Sequence, residues 1–164
     1  MTNRRTEPTR NPPTETKTRN YGPLERTRMK TVGTLSFEST AEASEAYESV
    51  GPAAQTVVRE VARAMEFDRD EYGERVTGEV VETARDALFA SLLEVSVGSR
   101  EAFEEWHESY DGEVTVAGHE EVDNVVWHAG PTDEAVAATF QNEDDAAIAT
   151  LRRQAFGRLY RDLV

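Results

Sequence analysis

The chain has 164 residues, no cysteine, 38% hydrophobic and 30% charged residues, and a net charge of −14. That length suits one domain with a real core, and no run approaches the roughly 18 to 20 apolar residues of a membrane span. The missing cysteines exclude a disulfide framework and any thiolate nucleophile or thiolate metal site.

Charge divides the chain at Lys30, its last lysine. Residues 1–30 hold eight Lys and Arg against three Glu, whereas residues 31–164 hold ten Arg against 29 Asp and Glu, a net −19. Residues 1–28 are rich in Thr, Arg, Pro and Asn. They cannot bury enough apolar surface to offset their ordering entropy, so a disordered basic tail is expected. Arg4 and Arg5 lack the downstream apolar core of an export signal. Met29 is expected as the true initiator, with the tail lying upstream of it, and residues 29–164 as a single domain.

Residues 31–37 alternate weakly and read as a short strand or an extended lead-in. Ser39 or Thr40 can cap a helix through Val50, closed by Gly51. Pro52 opens the next helix, whose Val57, Val58, Val61, Ala62 and Met65 share one face. Asp68 caps a short helix through Tyr72, broken near Gly73. Thr77 starts a helix to about Leu92 whose second half is apolar around most of its circumference. Such a helix is normally enclosed by other elements.

At Leu93 the period changes to two, and Leu93, Val95 and Val97 mark a strand with one buried face. Ser99 caps a helix carrying Phe103 and Trp106, which ends by Asp111-Gly112. Three strands follow, at 113–117, 123–129 and 135–141, the last two joined by a turn containing Pro131. Asn142 caps a closing helix over 143–163. The fold class is α+β: a helical N-terminal half packed on a small, mainly antiparallel sheet of three to four strands, with a C-terminal helix.

Motifs for chemistry are sparse. Glu104 and His107 have the Glu-x-x-His spacing of di-iron sites, and His107 and His119 each open a His-Glu-x-x-Asp string. Where acidic residues take one position in five, such spacings arise by composition, so no metal site and no cofactor are expected. No Gly-x-Ser-x-Gly elbow and no phosphate-cradling glycine loop occurs, so no catalytic residue is assigned. Trp127 and His128 lie next to each other in a strand and face opposite sides. His128 reads either as a buried histidine bonded to backbone or a carboxylate, or as a pocket base.

The closing helix holds four of the ten body arginines: Arg152, Arg153, Arg158 and Arg161. Arg152 falls on the apolar arc formed by Ile148, Leu151, Ala155, Phe156, Leu159 and Leu163. A lone charge there is costly to desolvate, so an ion pair with Asp86 or Glu82 is expected. Arg152 and Arg153 could alternatively build an anion or partner site, because guanidinium recognises oxyanions bidentately.

An acidic, lysine-free body resembles proteins of organisms that keep molar KCl in the cytoplasm. At ~1 M salt the Debye length is about 3 Å, which screens the self-repulsion of so acidic a domain. The same salt would strip a few tail arginines from phosphates, so nucleic acid is not expected as a partner. The strings 51–58, 84–90 and 149–158 resemble an uncharacterised family of short haloarchaeal proteins, a domain of unknown function whose members begin near Met29. That resemblance implies no activity. Two readings remain. One is a non-enzymatic cytoplasmic interaction or regulatory module, binding an unknown protein partner through Trp127, His128, Arg152, Arg153 and the sheet's second face. The other is a small enzyme or ligand-binding domain placing His128 with Arg152 or Arg153 over an anionic small molecule.

Overall fold

The computed structural model of the chain describes residues 29–164; the expectations for the tail over 1–28 lie outside the described residues. Helix starts follow their caps. Ser39 accepts from Glu42 N at the head of α1 (Thr40–Ser49), and Pro52 sits in the first turn of α2 (Gly51–Ala64). Asp68 and Glu71 form a reciprocal capping box on α3 (Arg69–Arg75), which runs through Gly73 where a break was expected. Thr77 caps α4 (Gly78–Leu92), and Ser99 caps α5 (Arg100–Ser109).

The sheet has five strands where three to four were expected: β1 (Met29–Val32), β2 (Val95–Ser99), β3 (Glu113–Ala117), β4 (Asn124–Ala129) and β5 (Glu134–Phe140), in the order β1-β2-β4-β5-β3. β1 forms earlier than the expected 31–37 because Gly33, at φ +105°, turns the chain out of the ladder; Leu35 then makes only an isolated bridge to Leu93. Three pairings are antiparallel and β3–β5 is parallel. β5 returns as a hairpin from β4 and lies between it and β3, which leaves β3 as an outer edge.

Alternation along the strands gives the sheet two apolar faces. Val95, Val97, Val126 and Val136 face the main core with Leu93, Phe89, Leu151, Phe156 and Tyr160. Phe89 sits at its centre, with the rings of Phe37, Tyr47, Phe156 and Tyr160 at 5.4 to 5.8 Å. Val125, Trp127 and Ala137 point the other way, onto Ala102, Phe103 and Trp106 of α5. The sheet's second face is therefore covered at its centre by a helix of the chain itself.

Two helices depart from expectation. α4 buries Phe89 and Ala90 against its neighbours but leaves Ala87 exposed and Leu92 37% exposed, so this helix is not enclosed all round. The closing helix is α6 (Asp144–Ala155) followed by a π-helical turn, Phe156–Tyr160, with Arg161 N donating to Phe156 O at 2.9 Å. Its N-cap is Glu143, without a side-chain bond, rather than Asn142. The wide turn brings Phe156, Leu159 and Tyr160 into the core together.

Candidate functional site

His128 projects from β4 into the main core and is 3% exposed. Its Nδ1 lies 2.5 Å from Glu94 O, and its Nε2 lies 2.6 Å from the Tyr160 hydroxyl. A carbonyl can only accept, so Nδ1 carries the proton and Nε2 accepts from Tyr160. The ring is neutral. Burial lowers its pKa most and the nearby Arg152 lowers it further, while the bond to Glu94 O acts in the opposite sense. Burial raises the Tyr160 hydroxyl above the ordinary phenol range, which keeps it a donor. Both ring nitrogens are engaged within the fold, and His128 lines none of the hollows described below. Trp127 lies on the opposite face, with Phe103 at 5.2 Å and Trp106 at 5.7 Å.

Arg152 does not form the expected ion pair. Its Nε donates to Leu93 O at 2.9 Å and its Nη2 to Val32 O at 3.2 Å. Leu93 closes α4, where the last carbonyls have no helical partners, so a guanidinium finds acceptors without needing a carboxylate. A Cβ at Gly33 would lie 2.4 Å from Leu93 O and 2.7 Å from Arg152 Nη2, so the close passage of the chain beneath the guanidinium requires glycine there. Asp86 instead accepts from the Tyr47 hydroxyl at 2.6 Å. Burial, then Asp86, push that hydroxyl up to about 12. Arg85 supplies the local cation, donating from Nε to Tyr47 O at 2.9 Å and stacking over the Tyr47 ring at 4.4 Å. Glu82 is exposed.

Three hollows carry the remaining possibilities. The largest, about 590 Å³, runs between α2 and α4, with Val57, Val61 and Met65 on one wall and Val80, Thr83 and Ala87 on the other. Arg75 is its charged residue. A hollow of about 250 Å³ continues past Ala87 to Ser91, Ala149, Arg152 and Arg153. The third, about 510 Å³, lies between edge strand β3 and the last helix, and includes Thr115, Arg153, Gln154, Gly157 and Arg158. Arg153 therefore stands between two hollows; its own contact is a 3.4 Å hydrogen bond to Thr150 Oγ1.

Glu104, His107 and Glu108 line an open depression on α5. Among the described residues no three His, Cys, Asp or Glu side chains converge as a metal set. His119 uses Nδ1 to accept from Glu121 N at 3.3 Å.

Sequence reasoning missed Tyr160, because the π turn moves it into the core by one residue relative to a regular helix. It also missed the openness of the α2–α4 face. The available signal was an apolar face of Val57, Val58, Val61, Ala62 and Met65 on α2 and its C-cap, beside a helix whose second half is apolar around most of its circumference. No helix among the described residues is long and apolar enough to cross a membrane. Comparison with curated proteins and with solved structures found no match. The sequence model of a family of unknown function, DUF5809, matches residues 34–161, from the turn after β1 to the end of the π-helical turn, and the chain belongs to that family.

Proposed function

We propose that the chain is a non-enzymatic protein-interaction module that receives an acidic amphipathic helix of a partner protein along the outer face of α4. The observation that supports this is an uncharged stripe of α4, Val80, Thr83, Ala84, Ala87 and Ser91, that no other element covers. Val57, Val61 and Met65 flank that side at 43, 51 and 59% exposure. Soluble domains leave contiguous apolar surface of this kind mainly where something docks. From Val80 to Ser91 the face runs about 17 Å at 1.5 Å per residue, enough for three turns of a partner helix.

Charge selects the partner's character. Residues 31–164 carry 29 carboxylates, yet the charged residues lining the two hollows on this face are Arg75, Arg152 and Arg153. An apolar helix flanked by Glu or Asp would meet them favourably, and a basic one would not. Composition further supports a salt-rich cytoplasm as the setting, where apolar docking persists while diffuse charge attraction is screened. The enzyme reading has no convergent group to act with, because both nitrogens of His128 are engaged inside the fold.

The test uses a fluorescein-labelled peptide of about 16 residues with a Leu stripe flanked by Glu, and its Lys counterpart, in molar KCl. Anisotropy should show the Glu peptide binding the full chain at least ~10-fold more tightly than the Lys peptide. Val61→Asp should abolish that binding without changing the circular dichroism spectrum. Absence of binding, or binding indifferent to Val61→Asp, would refute the proposal. So would a chain dimer that Val61→Asp dissociates, since a second copy would then be the occupant.

A further inference from the structure

The groove beside β3 exists because α6 and the π turn cover β4 and β5 but stop short of the outer strand. Thr115 and Ala117 of β3 remain exposed on that face, and the far wall is the outward side of the last helix. Its charged lining residues are Arg153 and Arg158, and no carboxylate lines it. Arg158 makes no hydrogen bond or ion pair among the described residues, and Arg153 makes only its long bond to Thr150.

The π turn contributes more than packing. It places Gly157 on the groove wall between the two arginines in sequence, and a Cβ there would meet nothing closer than Arg161 Nη2 at 3.9 Å. Packing therefore does not demand glycine at this position. Its effect is to leave the main chain of the turn open to whatever fills the groove. Thr115 adds a hydroxyl and Gln154 an amide, so the donors come from two elements. Ala117 and Val136 add an apolar shelf.

We infer that this groove binds a small phosphate monoester, its phosphate between Arg153 and Arg158 and its organic body on the β3–β5 shelf. Two guanidiniums, a hydroxyl and an amide, drawn from β3 and the last helix, offer more donors than one planar carboxylate accepts and suit a phosphate of charge about −1.5 to −2. A volume of about 510 Å³ exceeds what inorganic phosphate alone would fill and lies within the ordinary range for small-molecule sites. Bidentate guanidinium bonds also hold such a group where molar salt screens diffuse attraction. The inference is independent of the docking face, which shares only Arg153 with this groove.

Calorimetric titration of the full chain in molar KCl with AMP, glycerol 3-phosphate and inorganic phosphate tests it. Saturable binding is expected for the two monoesters, at least ~10-fold weaker for inorganic phosphate. Arg158→Gln and Arg153→Gln should each weaken AMP by at least ~10-fold, and Arg158→Lys should restore only part, because an ammonium is a point charge. Arg59→Gln on α2 and Val61→Asp should leave AMP binding unchanged. Both groove arginines are exposed, so their substitution spares the core, which unchanged thermal melts would verify. No saturable heat up to about 10 mM ligand would overturn the inference. So would losses equal to that of Arg59→Gln, or binding of inorganic phosphate alone.

Discussion

Acidification should destabilise this domain through His128 before the carboxylates titrate. The folded ring is held neutral by burial and by Arg152, so its pKa lies below that of the unfolded chain, near 6.5. The unfolded state therefore binds the extra proton first. The contribution of His128 to stability is complete above about pH 6.5 and is lost as pH falls below it, at a slope of at most about 1.4 kcal/mol per pH unit until the folded pKa is reached. Protonation would also put a donor at Nε2, forcing the Tyr160 hydroxyl to reverse. Tyr160→Phe should cost about 1–3 kcal/mol, because a buried Nε2 acceptor is left without its donor. Urea unfolding at constant molar KCl, from pH 5 to 8, measures both. A midpoint flat between pH 5 and 6.5, or rising on acidification, would refute the neutral, internally bonded His128. A neutral outcome for Tyr160→Phe would refute the hydroxyl's role.

Two further outcomes follow from the same geometry and charge. Arg152→Met removes both bonds to Leu93 O and Val32 O and should cost about 2 kcal/mol in the same urea assay, less than two fully buried charge-assisted bonds because the side chain is only partly buried; Arg152→Lys should recover about half. Dialysis from molar to millimolar KCl should lower the melting temperature or unfold the body, as screening of its −19 charge is withdrawn; a circular dichroism melt unchanged across that range would contradict the salt argument.

Local chemistry carried much of the fold. Ser39, Asp68, Thr77 and Ser99 announce their helices because a side-chain oxygen before an apolar-periodic run has one obvious use. Alternation in β4 likewise separates Trp127 from His128. What stayed hidden depends on tertiary placement. The parallel pairing of β3 follows from where the β4–β5 hairpin lands, which short-range pattern cannot specify. The π turn inserts a phase shift that replaces the expected Leu163 with Tyr160 in the core. Charge is visible in sequence and points Arg152 to a carboxylate, whereas unpaired helix-end carbonyls at Leu93 appear only once α4 is docked. The apolar circumference of the second half of α4 was legible, but not which side would lack a cover.

The most direct test of the docking account is a nitrogen–proton correlation map of the full chain in molar KCl, recorded with and without the Glu-flanked helical peptide. The account predicts saturable shifts concentrated at Val57, Val61, Met65, Val80, Ala87 and Ser91, with β3 and the Trp106 indole unmoved. Shifts centred on α5, on β3 or on β1, or no shift along α4, would contradict it.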